Sequence, residues 1–348
     1  MTDGTGVLDE AYQRLHRTGP EFAGWLSNHA PMTVEAMVRA GRPDLVHRWV
    51  DSYSEQLDEL PTASHRIGSE WLEAMGDERR IGDWIAHFRV ELAERPWRAV
   101  LGTWWPRLLP GVAAGATHGV IRVGHAVRVL LEGEQTAPRL DELAHGLGYW
   151  AARWESVPGA TCPEGELSPH EAIPGVPALP ERSGGIQTRL ARLAFLAGWP
   201  ESLAALRRPE NPAQAQDMLT ELVDAAVLHY RTHGHGAAIM SVHGATAPNA
   251  ILRTLPALPE NLWVPSLCTA WIATAAVTSI YAPDRPALGA SGTDLVLDEV
   301  VERAVATGDA HAIKFADTAV DTFARKGDHD ALAAAQRCTD LLSPSAAG

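Results

Sequence analysis

His311 and Lys314 stand three residues apart in the stretch Ala310-His311-Ala312-Ile313-Lys314-Phe315-Ala316-Asp317, which holds neither Gly nor Pro. A helix there places both side chains on one face. Lys314 and Lys326 are the only lysines among the 29 basic Lys and Arg residues. A lysine amine can be neutralised or covalently modified, whereas a guanidinium stays charged. An imidazole and a modifiable amine one turn apart are the makings of a metal or general-base site. The competing reading is a surface lysine whose stem lies over Ile313 and Phe315 with its head in water.

Four further histidines extend the pattern. His29 lies in Ser27-Asn28-His29-Ala30-Pro31, where Pro31 suits the first turn of a helix and His29 its entry. His118 and His125 are seven apart on an almost wholly apolar or small-residue segment, two turns along one face. Arg122 and Arg128 share that segment and need buried partners; a carboxylate is the natural one for Arg122. His243 lies in Ser241-Val242-His243-Gly244-Ala245-Thr246. Neutral imidazoles suit iron, zinc or manganese. Each histidine taken alone also reads as a hydrogen-bonded core residue. His47 and His170 read as solvated, and the turn Thr232–Gly236 (THGHG) as a floppy, His-rich loop.

Composition narrows the classes. The chain has 348 residues, 46% hydrophobic, with a net charge of −14 and a pI near 5.5. That acidity argues against nucleic acid and anionic membrane surfaces as partners. Cys162, Cys268 and Cys338 are far apart in sequence, so neither a disulfide framework nor a cysteine zinc site is indicated. This suits a reducing compartment, and the N-terminus has no apolar signal-like run, so a cytoplasmic protein is expected. No apolar run reaches membrane-spanning length; Cys268–Ile280 reads as a buried helix.

The elements that must position these groups read as helices throughout. Expected helices cover Leu8–Arg17, Met32–Ala40, Pro43–Leu60, Arg80–Arg95, Trp97–Leu109 with a break or kink at Pro106, Gly111–Leu131 and Arg139–Ser156. Residues 157–185 form one long irregular stretch rich in Pro and Gly, of the kind used as lids, binding loops or linkers. Helices follow at Ile186–Gly198, Asn211–Arg231, from Asn249 onward, Pro265–Ile280, near Thr293–Thr307, Asp309–Arg325 with Asp309 as N-cap, and Asp328–Leu342. Residues 343–348 read as a frayed tail. Thr246 is placed to cap a helix starting near Pro248. Trp104, Trp105, Trp150 and Trp154 read as core. No segment alternates with period two, and no phosphate-binding, nucleophile-elbow or HExxH motif occurs. The expectation is an all-α chain, residues 1–348 forming a single multi-helix domain that encloses a buried metal site, with the 157–185 loop near its mouth.

The collected pieces resemble the questin oxidase-like family. They are LHRTGPEFAGWLSNHAPM (15–32), WWPRLLPGVAAGATHGVIRVGHAVRVL (104–130), ELAHGLGYWAARW (142–154), SVHGATAPNAI (241–251) and HAIKFAD (311–317), in the family's order. The resemblance implies oxidation of a polycyclic aromatic polyketide such as an anthraquinone, by oxygen insertion or carbon–carbon cleavage of a ring. It implies O2 and a small aromatic molecule as partners, NADPH in one description of the family, and in another a non-haem Fe(2+) held by four histidines and a carboxylated lysine. Carried over, the candidates are His29, His118, His125, His243, His311 and Lys314, six residues for five ligand places. An i, i+3 pair converges on one ion more readily than an i, i+7 pair, so the expected metal ligands are His29, His118, His243, His311 and Lys314. His125 is then expected beside the substrate, and Thr246 as a hydroxyl that hydrogen-bonds substrate or oxygen. Gly244 stands where the family pattern has a larger residue, which reshapes the pocket beside His243. Two rival expectations stand beside this one. One is a zinc hydrolase using the same residues; the other is a binding protein for an aromatic metabolite with no metal.

Overall fold

A computed structural model describes residues 4–287 and 294–343, so Thr293 of one expected helix and residues 344–348 of the expected tail lie outside it. The described residues are mainly helical, as expected, with one small sheet. They divide into two compact units.

The first unit comprises residues 1–156 and 253–263. Its centre is a helix, Ala137–Ala152, packed against Ile81–Glu94 and His118–Glu132. The sequence permits this closeness: a Cβ on Gly148 would meet the Ile85 backbone at 2.9 Å. Trp84, Trp105 and Trp150 are fully buried here, Trp104 nearly so, and the Trp150 indole donates to the Gly111 carbonyl at 2.9 Å. The core reading holds for Trp104, Trp105 and Trp150, whereas Trp154 is only half-buried, its indole donating to the Arg107 carbonyl at 3.2 Å. The helix Trp97–Leu108 runs through Pro106 rather than ending there; the residue four before it, whose carbonyl loses its amide partner, is Gly102.

The sheet is the element that sequence patterning did not reveal. Thr18–Phe22 pairs antiparallel with Leu26–Ser27 and with Leu57–Glu59, in the order second, first, third. The strands are five, two and three residues long, too short for period-two alternation to register. Their work is local. The hairpin delivers the chain to Asn28, whose side-chain amide donates to the Gly19 carbonyl at 3.0 Å and whose Oδ1 accepts from the Ala30 amide at 2.9 Å. His29 is thereby fixed as the N-cap residue of the helix Ala30–Arg39.

The second unit comprises residues 157–252 and 264–348. Its long helices are Pro212–His233, Ala310–Lys326 and His329–Leu342, packed on one another, with Trp263–Tyr281 adding further core. Asp309 caps the Ala310 helix as expected, accepting from the His311 and Ala312 amides. Gly327, at φ 67°, ends it in the left-handed conformation, and Asp328 caps the next helix. The stretch 157–185 is less irregular than its composition suggests. Ser168 and Glu171 form a capping box on the short helix Pro169–Ala172, and Gly165 and Leu167 pair with Arg207 and Leu206. One stretch, Glu260–Tyr281, has the length and apolar composition to cross a membrane, and 67% of its apolar window is buried. The helix is longer than the apolar run seen in the sequence because Trp263–Leu267 extend it.

The three cysteines of the second unit are free thiols, but two of them are neighbours. Cys162 and Cys268 are 106 positions apart, yet their sulfurs lie 2.8 Å from each other.

Candidate functional site

In the first unit, two of the expected ligands come together. The His29 and His118 rings meet edge to face with centroids 4.5 Å apart, and their ring nitrogens approach within 4.8 Å. Both residues sit at helix starts. His118 is the first residue of His118–Glu132, which begins seven residues later than expected. The delay has a backbone cause. Gly115, Ala116 and Thr117 are all left-handed, at φ 52°, 58° and 70°, and a helix cannot pass through such a run. Left-handed Ala and β-branched Thr are costly, and such strain persists where surrounding structure enforces it. Gly115 cannot be larger, since its Cβ would meet the Tyr149 hydroxyl at 2.2 Å. The turn aims the Gly115 carbonyl at His118 Nδ1, 2.5 Å away. That fixes Nδ1 as the donor and leaves the lone pair on Nε2. His29 is oriented by Tyr53, whose hydroxyl lies 3.2 Å from Nδ1 and accepts from the His29 backbone amide at 3.0 Å.

In the second unit, His243, His311 and Lys314 come together. The His243 and His311 rings have centroids 5.7 Å apart. His243 is the first residue of the helix His243–Thr254 and repeats the device seen at His118: its Nδ1 faces the carbonyl three residues back, Met240, at 3.0 Å. His311 lies in the first turn of its own helix, with Nδ1 3.5 Å from the Asp309 carboxylate. A carboxylate or carbonyl behind the ring is the usual support of a metal-binding histidine. Burial pushes the His243 imidazole well below its ordinary range, with His311 and Lys314 adding to the effect, and burial likewise lowers His311. Neutral imidazoles are the ligating form.

All four of these histidines thus occupy the first positions of a helix, or its N-cap. The positive end of a helix dipole favours an anionic group nearby.

Lys314 is not the snorkelling surface residue that its stretch alone allowed. It is 1% exposed, and its amine has no hydrogen-bond partner among the described residues. Burial pushes its pKa down to about 7. The chain's other lysine behaves in the ordinary way: Lys326 is half exposed and pairs with Asp224 at 2.9 Å.

The other two expected site residues have different surroundings. His125 is buried with Nδ1 2.6 Å from Glu35, which also binds Arg128 in a two-pronged ion pair. Burial lowers its pKa, while Glu35 opposes this. Thr246 does not cap a helix, because the helix starts at His243 and passes through Pro248. Pro248 cannot supply an amide to the Gly244 carbonyl, and the Thr274 hydroxyl donates to that carbonyl instead, at 2.8 Å. Thr246 is therefore a buried residue within the helix, one turn beyond His243. Gly244 lines a small, mostly apolar recess of about 20 Å³ with Ile173, Ala226, His229, Tyr230 and Val277, room for about one water molecule.

Sequence reasoning missed Glu35, Tyr53 and the carbonyls of Gly115 and Met240. Only long-range packing or backbone conformation makes them neighbours of the histidines. A third cluster, His16, Asp141 and His145, also has metal-ligand chemistry, with ligand atoms within 4.8 Å of one another. Its atoms already have partners. His16 lies 2.8 Å from Glu142 and 3.2 Å from Asp141, and His145 Nε2 accepts from Arg89 at 2.9 Å. It is a closed charge network. Arg122 completes it by a bidentate pair with Glu142, as its expected carboxylate partner.

No known protein family matches this chain, and no curated protein matches it.

Proposed function

We propose that this chain is a non-haem iron oxygenase that opens or inserts oxygen into a ring of a hydroxylated polycyclic aromatic polyketide, with the ligand set that the resemblance implies. The identity of the substrate class and of the metal rests on the resemblance set out above. The observation that carries the reading is the Lys314 amine. A buried lysine without a partner is a net cost to folding. Its neutral form is also the one that adds carbon dioxide, the amine nitrogen bonding to the carbon while one proton leaves to solvent. The product is a carbamate, an anionic oxygen ligand that arginine cannot form. It would sit one turn from His311, beside His243 and at the positive end of a helix. The donor set, neutral imidazoles plus one hard anionic oxygen, fits a divalent first-row metal.

A bound ferrous iron would supply the one-electron chemistry that lets O2 react with a closed-shell aromatic ring. The chain's own residues do the rest. Gly115 and Met240 carbonyls hold His118 and His243 in the tautomer whose Nε2 ligates. Asp309 and Tyr53 orient His311 and His29. Glu35 holds His125 Nδ1–H, so His125 Nε2 is the acceptor for a phenolic proton of the substrate, and the resulting phenolate is the electron-rich form that O2 attacks. Thr246 donates its hydroxyl to a substrate or oxygen atom. The recess at Gly244 is far too small for a polycycle, so it is not the ring site.

The test is oxygen uptake. Protein purified anaerobically, loaded with Fe(II) and given a hydroxylated anthraquinone should consume O2 as the quinone absorbance bleaches, with and without NADPH compared. Turnover of an ester or amide by a zinc-loaded protein, with no O2 uptake by the iron form, would overturn the reading in favour of a hydrolase.

A further inference from the structure

Two thiols in the second unit meet without any role in the chemistry above. Cys162 is exposed, Cys268 is 8% exposed, and their Sγ atoms are 2.8 Å apart. One scaffold holds both. On the Cys162 side, Thr161 donates to the Pro200 carbonyl at 3.1 Å, the Trp199 indole donates to the Pro158 carbonyl at 3.0 Å, and the Glu164 and Gly165 amides donate to Ala204 and Leu206 at 3.0 Å. On the Cys268 side, the Trp271 indole donates to the Leu203 carbonyl at 2.9 Å. The segment around the helix Trp199–Ala204 therefore fixes the positions of the two sulfurs before any bond forms between them.

We propose that Cys162 and Cys268 are a reversible dithiol–disulfide site whose oxidation ties the 157–185 segment to the helix Trp263–Tyr281. The oxidant class is a low-molecular-weight disulfide such as glutathione disulfide. The accessible Cys162 thiolate attacks one sulfur of it and releases one glutathione thiolate. Cys268, losing its proton to solvent, then attacks the Cys162 sulfur and expels the second. Two protein thiols lose two protons and two electrons, and one glutathione disulfide becomes two thiols. Cys268 is suited to the resolving step. It is buried, which raises its thiol pKa and keeps it protonated and unreactive toward outside oxidants until the mixed disulfide is beside it. The third cysteine is an internal control. Cys338 is fully buried against Tyr230, and burial pushes its thiol up to about 12.

The experiment equilibrates the full-length protein in glutathione buffers from reducing to oxidising, quenches in acid, alkylates, and maps peptides by mass. The expected result is a loss of about 2 Da with a single Cys162–Cys268 link. Dithiothreitol should reverse it, and Cys338 should be alkylated throughout. Cys162→Ser should leave Cys268 as a thiol with no intramolecular link. Cleavage by a glutamate-specific protease at the exposed Glu164 should slow several-fold on oxidation of the wild type and not of Cys162→Ser. Three alkylated thiols at the oxidising end would overturn the site, as would a Cys162–glutathione adduct that persists beside an alkylatable Cys268. Disulfide formation with unchanged cleavage at Glu164 would overturn the tying role.

Discussion

Two deeply buried ionisable side chains, Glu142 in the first unit and Lys314 in the second, have opposite surroundings. In the first unit, Glu142 meets Arg122 and His16, and Glu35 meets Arg128 and His125. Burial alone would raise the Glu142 carboxyl, yet Arg122 and His16 hold it down to about 2. In the second unit, Lys314 is as deeply buried, its amine has no hydrogen-bond partner among the described residues, and the Asp309 carboxylate offsets only part of the effect of burial. A paired buried charge pins a fold, whereas an unpaired one weakens it. A residue that weakens the fold and is still the only buried lysine in an arginine-rich chain is best explained by what its amine can become.

Breaking each region separately tests that contrast, the largest effect first. Glu142→Ala strands Arg122 in the core and should destabilise the protein by about 3–5 kcal/mol in denaturant melts. Lys314→Met, in metal-free protein, removes an amine that has no partner to strand. It should stabilise at neutral pH by roughly 1–3 kcal/mol, the desolvation cost of one unsatisfied polar group. Equal losses in both variants would dissolve the contrast.

The same two residues should produce two separate steps in stability against pH. Glu142 has a folded pKa near 2, below its ordinary 4.5, so its contribution is complete above 4.5 and is lost as pH falls toward 2. Lys314 has a folded pKa near 7, below its ordinary 10.5. Between those values the unfolded chain holds a proton that the folded chain does not, so stability rises with pH across that window and is flat outside it. Glu142→Gln should erase the acid step alone, and Lys314→Met the alkaline step alone. The smallest expected effect is at Gly244. A Cβ there meets only Val277, at an ordinary 3.5 Å, so Gly244→Ala should stabilise the helix by up to about 1 kcal/mol while narrowing the recess.

The residues that the sequence made legible were those whose signal is local. Asp309 announced its cap, the Trp-rich segments their burial, and Arg122 its need for a carboxylate. What stayed hidden depended on distant partners. The helix at His243 runs through Pro248 because Thr274, thirty positions away, satisfies the Gly244 carbonyl. The helix at His118 starts late because three left-handed residues precede it, and two of the three are not glycine. The strands around His29 are too short to show a period. Lys314 gave its residue type away and nothing of its burial, and Cys162 and Cys268 gave no hint of each other across 106 positions.

The most direct test of the central claim is the iron content of the purified protein measured beside that of Lys314→Arg, with circular dichroism to confirm that both are folded. The account predicts about one iron per chain in the wild type and its loss in the variant, since guanidinium cannot become a carbamate ligand. Equal iron in both, or none in either after anaerobic loading, would contradict it.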